Sequence, residues 1–191
     1  FINGNNGFTL TKEQLQQLIP GYEGKGIAIM SEENILGNIN SGLWYAENTV
    51  HHEFEHILLA EKFPNTPEGN AALKNHRDEL NQILENSNDP QIIAIKTFLD
   101  NRVAGYTIAG VKPDSRAASE EFFAVFSDVV RGLSLEALTA EGQQAFLEIG
   151  ATYKNILHPE STLDVWGAEN TLEFIKNYQT GKLDIEYTTQ L

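Results

Sequence analysis

Along most of this chain apolar residues recur every three or four positions, the spacing of an α-helix with one buried face. From Asn48 onward that spacing predicts a helix over about 50–63, capped by Asn48 or Thr49 and ended by Pro64-Asn65. Thr66-Pro67-Glu68 supplies a cap, a first-turn proline and an acidic first turn, and it opens a polar helix reaching about Asn86. Asp89-Pro90 repeats the device for a helix carrying Ile92, Ile93, Ile95, Phe98 and Leu99. Residues 103–112, with Gly105 and Gly110, read as an irregular or hairpin connection. Further helices are predicted over 115–131 with Gly132 as C′ glycine, over 140–157 until Pro159 breaks it, and over 169–178, ended by Gly181.

Before residue 48 the periodicity weakens. The first ten residues, rich in Asn and Gly, read as loop. Thr11 and Gln14 form a capping box for a short helix carrying Leu15, Leu18 and Ile19, stopped by Pro20-Gly21. Gly26 to Met30 is a strand candidate, Ile35 to Ile39 a second and Leu43 to Ala46 a third. The expectation is one domain over 1–191 of α+β class, predominantly helical. Its 1–47 part is strand-rich and its 48–191 part mainly helical.

Composition narrows the function classes. With 191 residues, 41% of them hydrophobic, the chain can bury one sizeable core. No apolar run approaches the roughly 18 to 20 residues that cross a bilayer, so membrane insertion is not expected, and no signal peptide is read. The opening Phe1-Ile2-Asn3-Gly4 has no initiator Met and reads as a processed form or a domain cut from a longer protein. Lys and Arg number 13 against 27 Asp and Glu, a formal charge of −14. Nucleic acid and anionic membrane surfaces, which need a basic footprint, are disfavoured as partners. The acidity favours solubility, with attraction of basic peptides as the functional alternative. There is no Cys, which removes thiol catalysis, cysteine zinc sites and disulfides. An acidic, cysteine-free chain tilts the expectation towards a secreted or extracellular protein, with a cytoplasmic one as the alternative.

Against that background His52-Glu53-Phe54-Glu55-His56 changes the picture. Positions i and i+4 share a helix face, so His52 and His56 can offer two imidazoles to one metal ion. Glu53, about 100° round the helix, can reach a water at the metal without being a ligand. Two nitrogen ligands, one carboxylate base and an open position are the wiring of a zinc hydrolase. One Zn²⁺ per chain is expected. A third protein ligand is still required, and two adjacent glutamates compete for it. Glu121 shares its face with Ala118, Val125 and Val129, whereas Glu120 lies with Ala124, Ser127 and Arg131. A carboxylate aimed at an apolar stripe is costly unless it meets a cation, which favours Glu121 and leaves Glu120 solvated or outside the ligand set. Asp128 returns to the face of Glu121, either to hold a ligand imidazole by its free N–H or as a plain surface carboxylate.

His52, Glu53, Phe54 and His56, followed 65 residues after His56 by Glu121, Phe122, Phe123 and Ala124, resemble the zinc peptidases related to anthrax lethal factor. The Pro-Pro endopeptidases and Mlc titration factor aminopeptidases share this arrangement, and Ala124 to Ser127 also resembles the titration-factor version. The resemblance covers these two helices and little else. It implies a zincin-like catalytic domain with a small sheet before the motif helix, zinc as cofactor, Glu121 as third ligand and Glu53 as general base. Three positions depart from it. Asp114 stands where those families place an oxyanion-binding Tyr, Leu59 where they often have an acidic residue, and Val125 where lethal factor and the Pro-Pro enzymes have Glu.

The oxyanion donor is therefore open. Tyr106, in the segment before the ligand helix, is the first candidate, with Tyr153 and His158 as alternatives. His76 reads as a surface histidine, and His51 projects from a different face than His52. Trp44 and Tyr45 read as core aromatics, or as a substrate-binding edge strand. The leading function is a zinc-dependent endopeptidase acting on a peptide or protein substrate. The alternatives are a non-hydrolytic zinc-binding recognition or scaffold module, and an aminopeptidase or small-amide hydrolase.

Overall fold

The computed structural model describes residues 7–40, 48–157 and 167–178. These are mostly helical, with one two-stranded sheet near the start. In chain order the elements are β1 (Gly7–Leu10), α1 (Lys12–Leu18), β2 (Ile27–Met30), α2 (Glu32–Asn40) and α3 (Thr49–Lys62). There follow α4 (Pro67–Asn86), α5 (Pro90–Ile108), α6 (Arg116–Arg131), α7 (Ala140–Leu157) and α8 (Ala168–Tyr178). The α+β class holds at this level.

Most helix starts follow from local chemistry. Thr11 accepts from Gln14 N while the Gln14 side chain accepts from Thr11 N, a complete capping box. Thr66 caps α4 through Gly69 N, and Ser115 caps α6 through Ala118 N. Asp89 does more than cap. One carboxylate oxygen accepts from Gln91 N and Ile92 N, and the other accepts from the N–H and hydroxyl of Thr139. Thr139 in turn accepts from Gly142 N, so one carboxylate ties the starts of α5 and α7 together.

The strands pair antiparallel, Gly7 opposite Met30 and Leu10 opposite Ile27. The sheet packs on α3, and α3 packs on α6. Asn48, at the start of α3, donates to Asp128 O late in α6, whereas His56 faces Glu121 early in α6, so these two helices run antiparallel. The main core lies beyond them, where Leu59, Leu73, Leu80, Leu99, Phe126, Phe146 and Ile175 are all 0% exposed. Burying a side chain of that size stabilises the fold by roughly 1.5 to 3 kcal/mol. The site therefore sits on two helices anchored from behind.

Several expectations are corrected. Gly7–Leu10 is a strand rather than loop, because β2 and α3 give its Phe8-Thr9-Leu10 alternation something to pair with and pack on. Ile35 to Ile39 is helical, not a strand; Ser31 accepts from Asn34 N and starts α2, with Glu32 and Glu33 in the first turn. Helix α5 runs on through Gly105 to Ile108 because Val103 and Tyr106 pack on the core, and the irregular turn shrinks to the residues around Gly110, whose φ is 100°. Gly132 closes α6 at φ −90°, not in the left-handed form of a C′ glycine. On α1 only Leu15 is buried, while Leu18 and the following Ile19 are exposed. The strand expected over 43–46, with Trp44 and Tyr45, lies outside the described residues, as do His158, Pro159 and Gly181.

Candidate metal centre

Helix α3 carries His52 and His56 one turn apart, their ring centroids 5.2 Å from each other. Helix α6 brings Glu121 against both. His52 Nε2 lies 3.6 Å from Glu121 Oε2, and His56 Nε2 lies 3.6 Å from Glu121 Oε1. These gaps are too long for good hydrogen bonds. They suit donors arranged about one ion, since tetrahedral ligands at about 2.1 Å stand about 3.4 Å apart. The three donor atoms lie within 4.8 Å of one another, and Glu121 Oε2 is buried with no hydrogen-bond partner among the described residues. An orphaned carboxylate oxygen between two imidazoles is what a cation would satisfy. The group can hold a metal ion.

Electrostatics prepares it. Burial would lower the His52 pKa, but Asp128 and Glu121 beside the ring outweigh it and push it up to about 10. His56 goes the other way, down to about 4, through burial and the neighbouring His52 charge, with Glu121 opposing. Glu121 is held below the usual carboxylate range: burial would raise it, and His52, His56 and the Tyr106 hydroxyl overcome that.

Asp128 is not a surface carboxylate. It is 4% exposed, and its Oδ2 sits 3.0 Å from His52 Nδ1, leaving Nε2 aimed at Glu121. Burial raises its carboxyl even though His52 pulls the other way. Glu120 takes no part in the group; it pairs with Arg116 at 2.6 Å, and Arg116 also donates to Asn70.

Glu53 is 8% exposed, and burial raises its carboxyl. Thr9 on β1 donates to Glu53 Oε2 at 2.7 Å. Sequence reading missed Thr9, whose only signal was the alternation Phe8-Thr9-Leu10. Tyr106 stands on α5 rather than in a loop, beside Glu121, with the Arg102 guanidinium 5.6 Å from its ring centre and donating to its hydroxyl. Burial pushes the Tyr106 hydroxyl above the usual tyrosine range.

Other candidates fall away. Tyr153 is 1% exposed and packs among Phe123 and Phe126, so it is a core residue and not an oxyanion donor. His76 is not fully on the surface; its ring lies 5.6 Å from that of Phe63. Asp114 is largely solvent-exposed beside Lys74 and Arg77. Leu59 and Val125, two positions that depart from the lethal-factor pattern, are both 0% exposed, so a carboxylate at either would be buried in the core. No helix among the described residues is long and apolar enough to cross a membrane.

No protein-family model, curated protein or solved structure matches the chain.

Proposed function

We propose that the chain is a zinc-dependent peptidase with a zincin-like catalytic domain, in which His52, His56 and Glu121 hold one Zn²⁺. The observation that carries the reading is the meeting of these three donors beside a buried carboxylate, Glu53, which contributes no ligand to the group. Two imidazoles and a carboxylate suit zinc, which takes a borderline N and O donor set in catalytic sites. Zinc bound there supplies a Lewis acid that acidifies water and polarises a carbonyl.

The chain's own groups divide the remaining work. With Oε2 engaged by Thr9, Glu53 Oε1 takes the proton of the attacking water and passes it to the leaving amine nitrogen. Its raised pKa suits both halves of that transfer. The Tyr106 hydroxyl, which beside the metal-free Glu121 is directed at that carboxylate, would turn to donate to the oxygen that gains charge. Asp128 holds the His52 ring in the tautomer that leaves Nε2 free. A peptide or protein substrate follows, with endopeptidase action as the leading form and aminopeptidase action tested by an N-acetylated substrate pair.

A second reading, a zinc-binding recognition module without turnover, is favoured by Asp114, which stands exposed where lethal-factor relatives carry a tyrosine. Elemental mass spectrometry on chelator-free wild type, Glu53→Ala and Glu121→Ala, with a peptide-library screen, separates the two. The peptidase reading expects about one zinc in wild type and Glu53→Ala, none in Glu121→Ala, and cleavage by wild type alone. Stoichiometric zinc without cleavage supports the module; no zinc in wild type overturns both.

A further inference from the structure

We infer that Thr9 is a positioning residue for Glu53, and that β1 exists in this fold to deliver it. The inference rests on the peptidase reading for its catalytic consequence and on geometry alone for the contact. Thr9 Oγ1 lies 2.7 Å from Glu53 Oε2 and 2.9 Å from the Glu53 backbone oxygen. One hydroxyl proton thus serves both acceptors as a three-centre bond. It ties the carboxylate to its own main chain and restrains a side chain that otherwise turns about three bonds. Among the described residues Thr9 is the only hydrogen-bond partner of the Glu53 side chain. Oε1 is left for proton transfer.

The strand is shaped for this contact. Gly7 and Thr9, two residues apart, face α3 together. A Cβ at Gly7 would stand 2.8 Å from Met30 Sδ and 3.2 Å from Glu53 Cγ, so a bare backbone is what lets β1 lie this close. Thr9 is β-branched, which limits its χ1 and keeps the hydroxyl aimed. The tether spans 44 positions of sequence, so it exists only through the packing of β1 on α3. Anchoring the strand through Gly26 adds to the fit: a Cβ there would stand 3.2 Å from Ile57 Cγ1, on the same face of α3 as the sheet.

The test uses the zinc-loaded full chain as wild type, Thr9→Val, Thr9→Ser and Thr9→Ala. Four readouts are taken: zinc content, kcat, KM and crystal structures of wild type and Thr9→Val. A catalytic carboxylate displaced by about 1 Å loses roughly 100-fold, so Thr9→Val should lower kcat ten- to hundredfold with zinc and KM unchanged. Thr9→Ser should restore kcat to within about threefold of wild type, because the hydroxyl rather than the methyl does the positioning. In the crystals the Glu53 carboxylate should leave its wild-type place in Thr9→Val. Thr9→Ala, checked by circular dichroism, covers the case of a valine-specific folding defect. A Thr9→Val enzyme as fast as wild type, a serine variant as slow as the valine one, or an unmoved carboxylate overturns the inference while the peptidase reading stands. A zinc-loaded wild type that cleaves nothing overturns that reading, and the crystal comparison still decides whether Thr9 holds Glu53.

Discussion

His52 is held between two carboxylates, Asp128 on Nδ1 and Glu121 near Nε2, and it is this position rather than the motif that sets its charge. Without metal it keeps a proton up to about pH 10, whereas His56, lowered to about 4, is neutral. The sign follows from linkage. The proton on His52 stabilises the metal-free fold fully below its ordinary pKa of 6.5, and that contribution is lost as pH rises through about 10. A metal must displace the proton, so zinc binding at pH 7 should release about one proton per chain. Calorimetry in two buffers of different protonation heat measures this; a value near zero would mean that His52 meets the metal already neutral. Removing the partner also has a sign. Asp128→Asn should weaken zinc binding by about 10- to 100-fold, read by competition with a chelator, while leaving the helices folded.

Among the elements, the junction of α5 and α7 depends on one side chain. Asp89 caps α5 and also satisfies the Thr139 N–H at the start of α7. Asp89→Ala should lower stability by about 2 to 4 kcal/mol in urea unfolding, from a lost cap plus a stranded N–H. Its carboxyl is held below the usual range: burial would raise it, but the Thr139, Ile92 and Gln91 donors prevail. That contribution is present above pH 3.8 and is lost as pH falls through the lower folded value, so the variant should differ least in strong acid. Gly142→Ala should disturb the same junction, since its Cβ would collide with the Asp89 carboxylate.

The back of α3 carries the opposite case. Glu55 is 0% exposed, neither of its oxygens has a hydrogen-bond partner among the described residues, and burial lifts its pKa to about 8 despite His52 and Arg131. Between pH 4.5 and about 8 the folded chain keeps a proton that the unfolded chain releases, so stability falls as pH rises. Glu55→Gln should therefore melt higher than wild type at pH 8 and alongside it at pH 4. Equal melting at both would show that the carboxylate finds a partner in solution.

For the molecule as a whole, a formal charge of −14 sets a long-range field. If the substrate is a peptide, kcat/KM for Lys- and Arg-containing peptides should fall as salt rises, and acidic peptides should show the reverse. An absent salt effect would assign the acidity to solubility alone. Part of the core that backs the site was legible from helical periodicity: Ile92, Ile95 and Leu99 of α5 are buried, whereas Leu73 and Leu80 are buried on α4, which read as a polar helix. Leu18, Ile19 and Ile108, equally apolar, remain exposed, because periodicity says which face is apolar and not whether another element covers it.

What is local was legible in the chain alone. The caps at Thr11, Thr66 and Asp89 act within three residues, and the His52 and His56 pair needs only one helical turn. Helical phase alone also separated Glu121 from Glu120, since an apolar stripe and a polar face are properties of the helix itself. Tertiary structure decided what depends on distant partners. Gly7–Leu10 became a strand because β2 pairs with it, α5 ran on to Ile108 because the core covers Tyr106, and Asp128 chose His52 across 76 positions. Thr9 reached Glu53 the same way. Backbone propensity and capping are short-range energies written in neighbouring residues, whereas a hydrogen bond between remote segments exists only once packing has brought them together.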